Sequence, residues 1–272
     1  MPELPEVETI VEQLKNKILG KVVIKVEVLD SIVDNEISKK TPFKLKNIYR
    51  RAKALIFELD NGLYLFVHLR MTGHFHYLTN EQVAFDKEKL EKCHRFLAAK
   101  FNFEDGGLLT YNDIRRFGFV KLFNKEQLGV ELTKLGPEPL SSEFSLRCFT
   151  AKLKDKKNSV IKTLLMDQHF LAGLGNIYAQ EVLYLAGINP LRKAGSLTTL
   201  EIKNLHRHII EVLKLAIKHK GSTVDNYAHV DGSGDFQNYL VVYGREKCTK
   251  GHNLQKVEIG GRGTSYCLEC QK

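Results

Sequence analysis

The sequence predicts an α+β protein with a β-rich first half, a helical second half and a small metal-bound ribbon at the C-terminus. Three observations carry this. Short β-type segments follow one another between residues 22 and 123. After Gly136-Pro137-Glu138-Pro139 the apolar residues change to helical spacing, and four metal-ligating side chains crowd into residues 248 to 270. Runs of strands followed by runs of helices are the pattern of α+β proteins. At 272 residues the chain exceeds what one hydrophobic core usually organises, so more than one domain is expected.

Val7, Ile10, Val11, Leu14 and Ile18 recur at helical spacing. Pro5 suits a first turn, Glu6 and Glu8 lie at the positive end of the dipole and Gly20 supplies a stop, which predicts a helix over 5–18. Strands are predicted over 22–29, 54–59 and 63–69; Asp60-Asn61-Gly62 joins the last two, and its Asn-Gly favours a tight hairpin turn. Further strands are expected over 97–104, 108–111 and 117–123. Pro137 and Pro139 end this part, because neither regular element tolerates two prolines in three residues. Helices are predicted over 143–155, 159–168, 176–187 and 199–219. The last opens on a Thr198/Glu201 capping box and carries Ile202, Leu205, Ile209, Val212, Leu213 and Ile217 on one face. From Tyr239 onward the β-type segments YLVVY, LQKVEI and TSYC surround the cysteines.

Lys and Arg outnumber Asp and Glu by 41 to 32, for a net charge of +9, which points to a polyanionic partner. No apolar run approaches the length of a membrane span, and the N-terminus is acidic where a secretory signal is basic and then apolar. The expectation is a cytoplasmic protein without a membrane partner. Of the five cysteines, three lie in the C-terminal ribbon and Cys93 and Cys148 are isolated, the distribution of a metal site plus free thiols.

The chain begins Met1-Pro2-Glu3-Leu4-Pro5-Glu6. Removal of Met1 turns Pro2 into a terminal secondary amine, which titrates near pH ~8 and can attack an aldehyde-level carbon such as a sugar C1′. Glu3 beside it is a candidate proton donor. Cys248, His252, Cys267 and Cys270 form two close pairs, able to surround one zinc ion tetrahedrally; four protein ligands leave no open position, so the zinc is structural. Between the pairs, Lys256 and the glycine-flanked Arg262 sit where a turn can meet a phosphate or a sugar. Gly173-Leu174-Gly175-Asn176 opens a helix and offers a second anion site, preceded by the basic run Lys152, Lys154, Lys156, Lys157 and Lys162, which reads as a solvated face. Arg50-Arg51-Ala52-Lys53, His68 to Gly73 and Asp113 to Gly118 fall at strand ends. Met71, Arg115 and Phe117 there could enter a base stack as a wedge.

Taken together, PELPEVET at 2–9, RRAK at 50–53, HLRMTG at 68–73, YNDIRRFG at 111–118, LGPEP at 135–139, AGLGNIYAQEVL at 172–183 and GGRGTSYCLECQ at the C-terminus resemble the bacterial formamidopyrimidine-DNA glycosylases over the whole length. These are DNA glycosylases that are also lyases of abasic sites. The resemblance implies an N-terminal β-sandwich with flanking helices over 2–135, a helix-two-turn-helix domain over 136–235 and a zinc-finger hairpin over 236–272. Damaged double-stranded DNA would lie in the cleft, with the chain acting as a monomer. It implies Pro2 as Schiff-base nucleophile, Glu3 as the acid assisting ring opening, Glu6 as a further active-site acid, Lys53 in β-elimination and Arg262 in δ-elimination. His68, Asn176, Tyr243 and Lys256 match positions on the DNA backbone, and Met71, Arg115 and Phe117 the wedge. His94 and Lys157 are the counterparts of a DNA-contacting histidine and lysine.

The family's zinc pattern is four cysteines, whereas here Gly251 is followed by His252. The segment 230–236 sits where the purine-type enzymes carry a base-recognition loop. Together with PELPE it favours 8-oxoguanine and formamidopyrimidines as substrates. The rival readings are an endonuclease VIII-like glycosylase for oxidised pyrimidines and a catalytically silent lesion-binding protein retaining Met1.

Overall fold

The computed structural model describes residues 1–223, 230 and 232–272. Two compact units divide them: Met1–Leu132 with Ser222–Gly234, and Thr133–Gly221 with Asp235–Lys272.

The first unit begins with helix α1 (Leu4–Ile18), in which Glu3 and Glu6 form a reciprocal capping box and Pro5 occupies the first turn. Strands β1 (Val22–Val28), β2 (Phe43–Arg51), β3 (Ala54–Leu59), β4 (Tyr64–His68) and β5 (Gly73–Leu78) follow. Next come the short helices α2 (Asn80–Phe85) and α3 (Lys87–His94), strands β6 (Leu97–Phe103), β7 (Leu108–Asp113) and β8 (Phe119–Phe123), and helix α4 (Lys125–Thr133). The antiparallel strand order is β5-β7-β6-β1-β2-β3-β4-β8. β1 and β2 share only the pairs Val22↔Lys44 and Val23↔Phe43, so the sheet folds there into two four-stranded layers. Phe57 of β3 meets Phe75 of β5 edge-on at 6.0 Å across the core. This is the expected sandwich. Val7, Ile10, Val11, Leu14 and Ile18 of α1 enter the same core, so hydrophobic burial anchors the helix carrying the N-terminus.

The Asp60-Asn61-Gly62 hairpin forms as expected, with Gly62 at φ +80°. β2 is absent from the sequence expectation for a physical reason. A register shift between Leu45 and Asn47 places the buried Phe43, Leu45 and Ile48 at spacings of two and then three, which hides the strand's period. Helix α2 buries none of its residues and α3 only Cys93, so neither carries an apolar stripe to read.

The second unit holds α5 (Leu146–Asp155), α6 (Ile161–Met166), α7 (Asn176–Leu185), α8 (Thr199–Lys218) and the hairpin β9 (Gln255–Ile259) with β10 (Arg262–Tyr266). α8 opens on the Thr198/Glu201 box and buries Ile202, Leu205, Ile209, Val212 and Leu213. α7 is buried from Ile177 through Tyr184 and is the unit's central helix. The β-type segment YLVVY forms no strand. The backbone N–H groups of Val241, Val242 and Tyr243 donate instead to the carboxylate of Glu181, at 2.7, 3.0 and 2.8 Å. Among the described residues no helix is long and apolar enough to cross a membrane.

Candidate functional site

In the first unit the site starts from the N-terminus of α1. Pro2 is buried, and Glu3 and Glu6 are each 2% exposed. One oxygen of Glu6 accepts from the Glu3 N–H at 2.9 Å, and the other accepts from the N–H and hydroxyl of Ser222 at 2.8 and 3.2 Å. Glu6 therefore ties the residues beside Pro2 to the start of the segment that reaches Gly234. Two carboxylates buried at a helix N-terminus lie where the helix dipole favours negative charge.

The turn between β2 and β3 supplies Lys53. Ala52 takes a left-handed conformation, φ +55°, and Arg50 holds the turn by donating to the Ala52 carbonyl at 3.0 Å while pairing with Glu8 of α1 at 2.6 Å. Lys53 is 5% exposed. Across the sheet, Ala54 pairs with His68. The His68 Nδ1 accepts from the Arg70 N–H at 3.1 Å, which puts the imidazole proton on Nε2. Burial, with the charges of Arg70 and Lys53 adding to it, pushes the His68 pKa down to about 3. His68 thus enters the site as a neutral N–H donor.

This has a pH consequence. Burial also lowers His76, to about 4. An unfolded chain protonates both rings below about pH 6.5, whereas the folded one does not, so their contribution to stability is complete above about pH 6.5 and is lost as pH falls toward 4 and then 3. Imidazole-selective ¹H–¹⁵N NMR of the free protein is expected to show His68 neutral and protonated on Nε2 from about pH 8 to about pH 5. Titration near pH 6.5 would contradict this environment.

Met71, Arg115 and Phe117 come together at the surface. The Arg115 guanidinium lies 4.9 Å from the Phe117 ring centre, and its Nη1 reaches the Met71 sulfur at 3.0 Å. Phe117 is 56% and Met71 41% exposed, so neither is a core residue. Sequence reasoning missed what holds them. Buried Asp113 accepts from the Gly118 N–H at 2.6 Å, and the Thr72 hydroxyl donates to Asp113 while accepting from the Arg115 N–H at 2.9 Å. A Cβ on Gly118 would stand 2.2 Å from the Tyr111 hydroxyl, so the loop closes only with glycine there. His94 stands exposed at the end of α3, away from this cluster in sequence, with its pKa lowered by partial burial and by Lys100.

In the second unit Asn176 begins α7 and donates from Nδ2 to the Gly263 carbonyl at 3.2 Å. Lys256 on β9 and Arg262 on β10 are exposed. Tyr243 is placed by the Glu181 carboxylate, whose pKa is raised by burial against the opposing pull of the three N–H donors. Lys162 corrects the sequence reading of a solvated basic run. It is fully buried and donates to the Thr264 hydroxyl at 2.5 Å, whereas Lys157 is exposed and accepts at its carbonyl from the Gly195 N–H at 2.8 Å. Gln180, Glu181 and Lys162 were legible only as polar residues on helices otherwise apolar, a weak sign of buried partners.

The ligating atoms of Cys248, His252, Cys267 and Cys270 all lie within 4.8 Å of one another. The His252 Nδ1 stands 3.6 Å from the Cys267 sulfur and 3.5 Å from that of Cys270. Sulfur at about 2.3 Å and nitrogen at about 2.0–2.1 Å from one tetrahedral zinc stand about 3.5 Å apart, so the cluster fits the metal. The Cys248 N–H donates to the His252 carbonyl at 2.9 Å, and Gly251 at φ +84° lets the knuckle turn so that the histidine faces the cysteines. The knuckles pack on Tyr184 and Val242.

A sandwich carrying buried carboxylates at its N-terminus, a helical unit and a Cys3His-tipped hairpin together describe the architecture of a DNA repair glycosylase. The comparisons bear this out. Residues 1–120 match the formamidopyrimidine-DNA glycosylase N-terminal domain, and residues 135–228 match the H2TH domain of the same family. The chain is 40% identical to the formamidopyrimidine-DNA glycosylase of Bacillus licheniformis and 39% identical to that of Streptococcus mutans, over the full length of all three. Among solved structures it superposes on Lactococcus lactis Fpg bound to abasic-site DNA with a TM-score of 0.89, covering 99% of each chain at 37% identity. A Lactococcus lactis Fpg variant bound to Fapy-dG DNA gives 0.90 over both full chains, also at 37% identity. The chain belongs to the formamidopyrimidine-DNA glycosylase family and is an enzyme of it.

Proposed function

We propose that the chain removes oxidised purines, 8-oxoguanine and formamidopyrimidines, from damaged duplex DNA and cuts the strand by β,δ-elimination through a Schiff base at Pro2. The observation that carries this reading is the N-terminus itself, where buried Pro2 is followed by Glu3 and Glu6, each 2% exposed, on a helix anchored in the sandwich core. After removal of Met1 the Pro2 nitrogen attacks C1′, the bond from C1′ to the base breaks, and the base leaves with a proton. Glu3 protonates the ring oxygen as the sugar opens, and the nitrogen lone pair completes an iminium.

The iminium acidifies C2′. A proton passes from it to solvent, the C3′–O bond breaks and the first phosphate leaves. A second proton is lost from C4′, the C5′–O bond breaks and the second phosphate leaves; water then hydrolyses the iminium and frees Pro2. Lys53 serves the first elimination, and Arg262, which stays charged, meets the phosphate leaving in the second. His68, Asn176, Tyr243 and Lys256 hold the backbone around the everted nucleotide, while Met71, Arg115 and Phe117 fill the vacated stack. We assign His94 and Lys157 to flanking DNA contacts, and one structural zinc to Cys248, His252, Cys267 and Cys270. We read the division as catalytic domain 2–135, helical domain 136–235 and zinc hairpin 236–272, in a chain that works as a monomer in the bacterial cytoplasm.

Base preference rests on PELPE and on the segment 230–236, of which Asp231 lies outside the described residues. The Val230 N–H donates to the side chain of Gln13 on α1 at 3.0 Å, within the unit that carries Pro2. The test is a panel of defined lesions in duplex DNA. 8-Oxoguanine opposite cytosine and formamidopyrimidines are expected to be excised at least about tenfold faster than thymine glycol or dihydrouracil, about 1.4 kcal/mol in transition-state binding. A panel won by the pyrimidines would move the chain to the endonuclease VIII-like reading.

A further inference from the structure

We propose that Gln180 is a positioning residue for Arg262, acting by completing the open edge of strand β10. The hairpin turns through Gly260 and Gly261, at φ +60° and +71°, so Ile259 and Arg262 form its first pair. In a two-residue hairpin that first pair is hydrogen-bonded and the pattern alternates beyond it. Thr264 therefore bonds toward β9, whereas the backbone groups of Gly263 and Ser265 point to the outer edge. A two-stranded hairpin is marginal by itself, and its edge presents a carbonyl and an N–H spaced like those a third strand would meet.

Gln180 supplies that third strand as a single amide. Its Oε1 accepts from the Ser265 N–H at 2.6 Å, and its Nε2 donates to the Gly263 carbonyl at 3.3 Å and to the Asn176 carbonyl at 2.8 Å. The residue is 3% exposed in the middle of α7. A primary amide carries the donor and acceptor of a peptide group, which a carboxylate or a hydroxyl does not. The neighbouring bonds converge on the same stretch: Asn176 also donates to the Gly263 carbonyl, Lys162 donates to the Thr264 hydroxyl, and that hydroxyl donates to the Arg262 carbonyl at 3.0 Å. The long side chain of Arg262 is exposed, so its reach is set at its base, and Gln180 fixes the backbone one and three residues beyond it.

The proposal rests on the reading that Arg262 serves the second elimination. It is tested with Met1-processed, zinc-loaded protein on duplex DNA holding a pre-formed abasic site, comparing Gln180→Met, Gln180→Glu and Arg262→Ala. Methionine fills nearly the same volume without the two polar atoms, while glutamate keeps the acceptor for Ser265 but turns a charge toward two carbonyls. Both Gln180 variants are expected to keep one zinc per chain and wild-type borohydride trapping. The ratio of δ- to β-elimination product should fall about tenfold, as expected for a charged group displaced by a fraction of an ångström to an ångström. Arg262→Ala should lower the same ratio at least as far. An unchanged ratio in the Gln180 variants beside a lowered one in Arg262→Ala would overturn the proposal alone. An unchanged ratio in Arg262→Ala would overturn the reading of Arg262 and the proposal with it. Loss of zinc in both Gln180 variants would make the residue a structural support of the ribbon and also overturn the proposal.

Discussion

Pro2→Gly in the Met1-processed protein is expected to lose most of its borohydride-trappable adduct with lesion-bearing duplex DNA, and strand cleavage should fall by about 10²-fold or more. Nucleophilic catalysis divides one difficult displacement into two easier steps, and general acid–base help of the kind left to Glu3 contributes about 10²–10⁴-fold by itself. Glycine leaves a primary amine, which still forms a Schiff base but lacks the fixed ring geometry that sets the lone pair toward C1′. The helix that follows Pro2 is held firmly at its first turn and along its buried face. Glu3 and Glu6 lock the first turn of α1 through a reciprocal cap, and the helix is anchored by five apolar residues in the sandwich core. Protein retaining Met1 is expected to trap nothing, since an acylated nitrogen forms no iminium, and intact mass spectrometry separates the two forms. If Pro2→Gly traps as well as the parent protein, the nucleophile lies elsewhere, and the buried Lys53 is the first residue to replace.

Removal of zinc is expected to unfold the C-terminal hairpin and abolish DNA binding. Structural zinc supplies about 10–16 kcal/mol of apparent folding free energy in isolated fingers near pH 7, far more than two five-residue strands could hold. Lys256 and Arg262 stand on those strands, so chelation should take both away from a phosphate together. One zinc per chain is expected by elemental analysis. His252→Ala should weaken retention sharply, because only three ligands remain and the two sulfurs beside the ring lose their neighbour at 3.5 and 3.6 Å. Full zinc stoichiometry in His252→Ala would remove the histidine from the site. His252→Cys tests the same point from the other side and should keep the metal.

Wherever one periodicity or one local motif sufficed, the fold was legible in the sequence. Helix α1 shows its five core positions at helical spacing, the Asp60-Asn61-Gly62 hairpin shows its turn chemistry, and the Thr198/Glu201 box marks the start of α8. The Cys248, His252, Cys267 and Cys270 cluster, able to hold a metal ion, was legible for the same reason: soft donors in close pairs have few other uses. The candidate chemistry at Pro2 could also be read locally, because the proposed nucleophile and the proposed acid are adjacent residues. Strand β2 was not legible, since its bulge breaks the alternation, and YLVVY misled because β-propensity measures fit to a pleated surface that this segment never meets.

Only the tertiary structure decided which polar residues are buried and with whom. Glu181 takes three backbone N–H groups from a segment sixty residues away, Gln180 closes the edge of β10, Lys162 leaves the solvated run for Thr264, and Asp113 with Thr72 closes the loop bearing Arg115 and Phe117. In sequence each is one polar residue among many. The apolar pattern places a helix or strand by burial, which is non-directional and local in sequence, whereas a buried carboxylate, amide or ammonium persists only where distant backbone and side-chain groups satisfy it. The residues proposed for the chemistry were therefore legible in the sequence, and the partners that satisfy the buried polar groups only in the fold.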